Sequence, residues 1–302
     1  MQFSIITPTY NRADCLLNCI QSVIDQLSSF SDFEHIIVND GSTDNTSALL
    51  KQLATDYCHV KIVEYGDNRG VNYARNRGIE NAFGKFLILL DSDDLLNAYA
   101  LRRISDTIYK MPSYDHYLFS VSTNALDLKF HKEVTYNDFI SERFHGDYLH
   151  IVKRDFLVRL KFFEEFRAFE KLNWLRVIRE TQPVLCYPLQ VVTVNVRNED
   201  SLSQKVYKSS TPKLLGESFR ANQLFLNLYG AEIKKSSNKV YYKNVLALFF
   251  IGLRANLYAK NSEVIRTFIP SFFLQRLIII LFNNRLFSYI LKSLYKLKYS
   301  LE

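Results

Sequence analysis

The 302-residue chain is poor in the residues that interrupt regular structure, with nine glycines and six prolines. Gly and Pro supply turns and break helices and strands, so their scarcity excludes a loop-rich or low-complexity chain. Cysteine is sparse too. Cys15 and Cys19 fall four apart on one expected helix, but Cys58 and Cys186 do not complete a zinc pattern. The four are read as reduced, buried thiols of a cytosolic protein. Long hydrophobic runs are missing. Leu277–Phe282 is six residues, with Arg276 and Arg285 close by, against the roughly 20 that a spanning helix needs. Met1 leads straight into a strand-like segment rather than a signal peptide. Neither a Walker sequence nor Gly-x-Gly-x-x-Gly occurs, which argues against a P-loop or dinucleotide site.

What is present is an ordinary globular composition, 48% hydrophobic and 23% charged, with an uneven charge distribution. Residues 1–204 carry 22 Lys/Arg against 27 Asp/Glu, a net of −5, whereas residues 205–302 carry 16 against 4, a net of +12. The asymmetry predicts two parts, 1–204 and 205–302, with different partners. A basic tail suits an anionic membrane surface or nucleic acid, and no nucleic-acid module accompanies it. From Thr211 the chain reads as helices. Over Arg285–Tyr299, Lys292 and Lys296 share a polar face while Leu286, Ile290, Leu294 and Leu297 share an apolar one. Such a helix either lies on a membrane surface or packs on its own domain.

The first ~110 residues alternate strands and helices at the spacing of βα units. Strands are expected at Phe3–Ile6, Glu34–Val38, Val60–Glu64 and Phe86–Leu90. Helices are expected over Cys15–Leu27, Thr43–Thr55 and Gly70–Ala82. This predicts a parallel sheet covered by helices on both faces. Beyond Tyr114 the pattern loosens. Strands at Tyr117–Val121, Ile151–Lys153 and Val191–Val196 and a helix at Glu170–Glu180 are expected to complete the same domain.

The run Phe86-Leu-Ile-Leu-Leu-Asp-Ser-Asp-Asp94 is an apolar strand that stops at a cluster of carboxylates. Parallel sheets bind ligands at the carboxyl ends of their strands, and crowded carboxylates are suited to a hard divalent cation. The competing reading is an acidic turn that caps a helix. Three other loops end on the same sheet edge: Thr7–Arg12, Asn39–Asp44, and Asn68–Gly70 running into Ala74–Gly78. Hydroxyls, a carboxylate, guanidiniums and an acidic cluster on one edge describe a nucleoside-diphosphate pocket with a cation.

In combination these motifs resemble those of the inverting, metal-dependent family 2 glycosyltransferases of bacterial surface-polysaccharide synthesis. The segments are Ser4-Ile-Ile-Thr-Pro-Thr-Tyr-Asn-Arg12, Val38-Asn-Asp-Gly-Ser-Thr-Asp44, Asn68-Arg-Gly70 with Ala74-Arg-Asn-Arg-Gly78, and Leu90-Asp-Ser-Asp-Asp94. The resemblance implies an α/β fold of the GT-A type, a Rossmann-like, mostly parallel sheet flanked by helices, with an α-helical C-terminal region. It implies that Thr7, Pro8, Thr9 and Tyr10 line the base and ribose. Asp40 would accept the base N–H, Arg75 would lie near base and phosphates, and Asp91 would approach the ribose or sugar. Asp93 would hold Mn2+ or Mg2+ against the diphosphate. The family's general base, a carboxylate at a helix start, matches Glu170, but Lys171 stands where a second acid is common. Glu164, Glu165 and Asp147 are the alternatives. Trp174 is either a wall for a sugar ring or a core residue. Arg197 and Asn198 fall in a segment resembling the one that closes the active site.

The expectation is a transferase moving a sugar from a nucleotide donor, UDP-linked, to a carbohydrate or lipid-linked oligosaccharide acceptor, cytoplasmic and peripheral on the inner membrane face. A sugar-phosphate nucleotidyltransferase would share the sheet and the carboxylates, but would want a glycine-rich loop after the first strand, and Thr7–Arg12 contains no glycine. A non-catalytic carbohydrate-binding relative is the other alternative, made conceivable by Lys171.

Overall fold

The computed structural model describes residues 1–123, 130–167, 169–195 and 211–268. The chain divides into two compact units, Met1–Arg197 and Asn198–Glu302. The expected helix Arg285–Tyr299, the run Leu277–Phe282, and Arg197 and Asn198 lie outside the described residues.

The first unit opens with β1 (Phe3–Thr9), α1 (Leu16–Ile24), β2 (Phe33–Asp40), α2 (Thr46–Asp56), β3 (Val60–Tyr65), α3 (Val71–Glu80) and β4 (Phe86–Leu89). β1 pairs in parallel with both β2 and β4, and β3 adds in parallel to β2. Every residue of β1 and β2 is buried, because helices cover both faces and the strands read as near-continuous apolar runs. Alternation splits the core. Phe3 and Ile5 pack with Val23, Leu101 and Ile104 on one face, while Ile6 packs with Val38, Ala74 and Ile79 on the other. Glu34, a charged side chain buried within β2, accepts from Ser4 Oγ and the Phe83 amide, both at 2.7 Å, and pairs with Lys61. Burial pushes its carboxyl up, and these partners more than reverse the effect.

The remainder of the unit is β5 (Leu95–Leu96), α4 (Ala100–Lys110), β6 (His116–Val121), β7 (Lys132–Val134), α5 (Tyr136–Ile140), β8 (Tyr148–Lys153), α6 (Arg154–Arg159), α7 (Glu170–Thr181) and β9 (Val184–Thr193). The sheet order is β3-β2-β1-β4-β8-β6-β9-β5, with β7 also on β9. The parallel arrangement expected from the βα repeats holds through β4. β8 then enters antiparallel to both β4 and β6, whereas β6 and β9 run parallel. β9 is also longer than the expected Val191–Val196 strand. Pro188 lies within it, where the ladder to β6 shifts register between Phe119 and Val121. A proline is tolerated at such an irregularity because no ladder amide is needed there.

The second unit contains α8 (Pro212–Ser236), α9 (Asn238–Arg254) and α10 (Tyr258–Phe268). Pro212 opens α8, and Ser237 caps α9 by accepting from the Val240 amide. Tyr241 Oη donates to Phe268 O at 3.0 Å and ties α9 to the end of α10. Among the described residues no helix is long and apolar enough to cross a membrane.

The fit of α3 on the sheet is tight at Gly78, where a Cβ would lie 2.3 Å from Ile6 Cγ2. Gly78→Ala should therefore destabilise the protein by about 1–3 kcal/mol despite the better helix former. Gly216→Ala, in α8 with open space around it, should stabilise by about 0.5–1 kcal/mol. Thermal unfolding of the two variants checks both signs, and a Gly78→Ala protein as stable as the wild type would contradict the packing.

Candidate active site

The strand-end loops are stitched to one another before any ligand arrives. Asn11, in the left-handed region at φ 51°, donates its amide to Ser42 Oγ at 2.9 Å, and its Oδ1 accepts from the Thr43 amide at 2.8 Å. Asp44 accepts from the amides of Ala13 and Thr46. Asp40 is buried, and its two oxygens accept from the amides of Arg69 and Gly70, each at 2.8 Å. A carboxylate at the start of α3 suits the positive end of the helix. Gly41, at φ +68°, allows the close approach of these loops, since a Cβ there would meet the Asp67 carbonyl carbon at 2.6 Å.

Of the four residues at and after the end of β1 expected around the base, Thr7 does not reach a surface. It is fully buried and its hydroxyl bonds His35 Nε2 at 2.9 Å. Pro8 and Thr9 are buried at the strand end, and Tyr10 is exposed. Thr9 Oγ1 and Asn68 Oδ1 are buried polar atoms without a protein partner. Such atoms are expected to be satisfied by water or a ligand, and both stand at strand ends on the edge where the nucleotide was placed from sequence.

The acidic segment is a turn, closed by the Asp94 amide on Asp91 O at 3.0 Å, and β5 follows it. No helix starts there, so the capping alternative is not realised. Asp94 accepts from the Asn195 amide at 3.2 Å. Burial, then Asp91, with Asp93 and Asp147 adding, pushes its carboxyl up to about 7. Among the described residues no set of at least three His, Cys, Asp or Glu forms a metal cage. The crowding suits an ion held by one or two carboxylates and completed by donor phosphates, the usual arrangement for Mg2+. Cys19 Sγ donates to Asp91 O at 3.6 Å, and burial with the neighbouring carboxylates pushes the thiol far up, which makes it an inert core group.

Arg75 stands at the centre. Its guanidinium is 4% exposed, and it donates from Nη1 to Glu170 Oε1 at 2.6 Å and from Nη2 to Asp91 Oδ1 at 2.9 Å. Burial alone would lower its pKa, and the Glu170 and Asp91 carboxylates raise it by more. Nε is buried without a partner. Glu170 reaches Arg75 because of two residues the sequence did not single out. Asn72 Nδ2 donates to the carbonyls of Phe163 and Phe166, and Asn76 Nδ2 to that of Phe162, while Asn76 Oδ1 accepts from the Phe162 amide. These buried amides clamp the segment leading into α7. The sequence signal is a helix over Gly70–Ala82 rich in Arg and Asn.

The other candidate bases are placed differently. Glu164 accepts from Asn76 at 2.8 Å, Glu165 is exposed, and Lys171 lies 3.5 Å from Glu142, turned to a carboxylate other than Glu170. Asp147 lines the same cavity as Glu170, and burial, Glu170 and Asp91 push its carboxyl up. Trp174, one turn beyond Glu170, is both wall and core. It lines the cavity, stacks on His150 at 3.7 Å and meets Phe162 edge-on. The cavity, open to solvent, joins Arg75, Asp91, Asp94, Asp147, His150, Glu170 and Trp174.

The model of the family described as glycosyl transferase family 2 matches residues 4–159, more than half of the chain. The chain belongs to this family. The matched span holds all four loops, Arg75 and the acidic turn, while Glu170 lies beyond it. This glycosyltransferase is 25% identical over 275 residues to the GalNAc(5)-diNAcBac-PP-undecaprenol beta-1,3-glucosyltransferase of Campylobacter jejuni, covering 87% of this chain and 85% of that one. It is 36% identical over 104 residues to the poly(ribitol-phosphate) beta-glucosyltransferase of Bacillus spizizenii, 34% of this chain and 16% of that one. Its fold matches S. aureus TarS 1-349 in complex with UDP-GlcNAc at a TM-score of 0.62 and 19% identity, covering 83% and 81% of the two chains. It also matches the mannosyltransferase PcManGT of Pyrobaculum calidifontis in complex with GDP-Man and Mn2+, at 0.54 and 17%, covering 96% and 86%. The GT-A architecture is thus established for the glycosyltransferase.

Proposed function

We propose that this glycosyltransferase is an inverting, metal-dependent enzyme that moves a sugar from a UDP-sugar to a hydroxyl of a carbohydrate acceptor carried on a lipid. The observation that carries the proposal is the Arg75 fork, which joins Asp91 at the donor edge of the sheet to Glu170 at the far wall of one cavity. The base and ribose would lie against Pro8, Thr9, Tyr10 and Asn68, with Asp40 beneath them. Asp93, with Asp91 beside it, would hold Mn2+ or Mg2+, which when bound offsets charge on the diphosphate.

In the reaction the acceptor oxygen forms a bond to the anomeric carbon from the side opposite the diphosphate. The bond from that carbon to the diphosphate oxygen breaks, and the electron pair leaves with the nucleotide. Glu170 takes the proton of the attacking hydroxyl. Arg75, fixed by its two carboxylates, keeps Glu170 at a set distance from the donor and places a buried positive charge beside the departing group. The named substrate of the Campylobacter relative and the ligand of the TarS complex support a lipid-linked acceptor and a UDP-linked donor. The basic region 205–302 supports docking on an anionic membrane at the cytoplasmic face.

UDP release from a panel of UDP-sugars with Mn2+ tests the chemistry. Glu170→Gln and Asp93→Ala should each lower kcat by about 10² or more, and a chelator should abolish turnover. Full activity in both variants, or turnover indifferent to chelation, would overturn the assignment. Formation of UDP-sugar from UTP and a sugar phosphate would point to a nucleotidyltransferase instead. For the membrane, flotation with anionic liposomes should be lost when the basic tail beyond residue 268 is removed, and unchanged flotation would remove that role.

A further inference from the structure

Beneath the cavity runs a chain of polar groups that the reaction above does not use. β6 and β8 are antiparallel neighbours, and the period of two places His116 and His150 on the face shared with α7. His116 is fully buried. Its Nε2 lies 2.9 Å from His150 Nδ1, and its Nδ1 lies 3.1 Å from Thr181 Oγ1. Thr181 Oγ1 donates to Val177 O at 2.9 Å. A carbonyl only accepts, so the single hydroxyl hydrogen of Thr181 is committed there and its oxygen accepts from His116. His116 is then protonated at Nδ1 and accepts at Nε2, and the hydrogen between the rings belongs to His150 Nδ1. His150 Nε2 is left as a lone pair, with no hydrogen-bond partner among the described residues.

The ring carrying that lone pair is held flat. It stacks on Trp174 with centroids 3.7 Å apart and planes 11° apart, and both residues line the cavity with Glu170. Burial keeps both imidazoles neutral, pushing His116 down to about 3 and His150 well down, with His116 and Arg75 adding at His150. A neutral acceptor has a purpose here. Asp91, Asp94, Asp147 and Glu170 already crowd the cavity with negative charge, and one more carboxylate would add repulsion. An imidazole lone pair accepts a hydroxyl hydrogen without adding charge.

Resting on the transferase reading, we propose that His150 Nε2 is a fixed hydrogen-bond acceptor for one hydroxyl of a bound sugar, with His116 and Thr181 as positioning residues that set its tautomer and Trp174 holding its plane. The sugar belongs to either the donor or the acceptor, and the chemistry of recognition is the same. A site built to bond a hydroxyl discriminates strongly against a substrate lacking it, so His150 would be a specificity-determining residue.

The test pairs His150→Phe, which retains the stack on Trp174 but has no acceptor, with Thr181→Val, which keeps the volume but removes the anchoring hydroxyl. Donor hydrolysis is followed with UDP-glucose, UDP-galactose and their N-acetylated amino forms. Transfer is followed with methyl glycosides of the same sugars, and UDP affinity is measured by calorimetry. His150→Phe should raise KM for one sugar substrate about tenfold to a hundredfold while UDP affinity stays within about twofold. A rise in donor KM assigns the hydroxyl to the donor, and a rise in acceptor KM assigns it to the acceptor. The monodeoxy analogue lacking that hydroxyl should be penalised in the wild type and not in His150→Phe. Imidazole 15N shifts at neutral pH should show both rings protonated at Nδ1, with that preference weakened in Thr181→Val. Unchanged KM values for both substrates in folded His150→Phe, or a His150 protonated at Nε2, would overturn the proposal. A wild-type protein that binds no UDP would instead strike the transferase reading, and the tautomer measurement would still decide the inference.

Discussion

A buried guanidinium cannot stand alone, and the architecture around the cavity follows from that constraint. Arg75 is nearly inaccessible, while Asp91 and Glu170 are about half exposed. Withdrawing its charge from water without partners would cost several kcal/mol. The two carboxylates come from the end of β4 and the start of α7, so the fork also ties together the two halves of the unit. Its planar geometry fixes the separation of the groups it holds in a way an ammonium could not. The surrounding contacts serve to hold α3 in register with this task. Asp40 holds the amides at its start, Gly78 lets it lie close on β1, and Asn72 and Asn76 bind the segment that delivers Glu170.

The half of the fold made from βα units was legible because its signals are local. An apolar run followed by turn residues and an amphipathic segment is read within ~30 residues, and parallel pairing then collects the loops on one edge. The carboxylate turn at Asp91–Asp94 stood out for the same reason, as charge placed where an apolar strand stops. Thr7 shows where this reasoning overreached. A motif reads as a block, but Thr7 lies inside the fully buried β1 and bonds His35, while Tyr10 stands past the strand end and is exposed.

The other half was less legible because its determinants are distant in sequence. Nothing near Tyr148–Lys153 announces that it reverses direction between β4 and β6, since antiparallel insertion is decided by the partners. The strand through Pro188 depends on a register shift against β6, which is likewise decided by the partner. The amides of Asn72 and Asn76 satisfy carbonyls some ninety residues onward, a relation that no local pattern carries. His116 and His150, 34 residues apart, gave no motif at all. Their relation exists only once β6 and β8 are side by side.

The central claim is that Arg75 acts as a fork that couples donor edge to base, and not merely as a positive charge. The most direct measurement is kcat/KM for sugar transfer by Arg75→Lys, with UDP affinity measured alongside. Lysine keeps the charge but cannot bond both carboxylates in one plane. The account predicts a loss of about 10² or more in kcat/KM, well beyond any change in UDP affinity. Transfer within about threefold of wild type would contradict it.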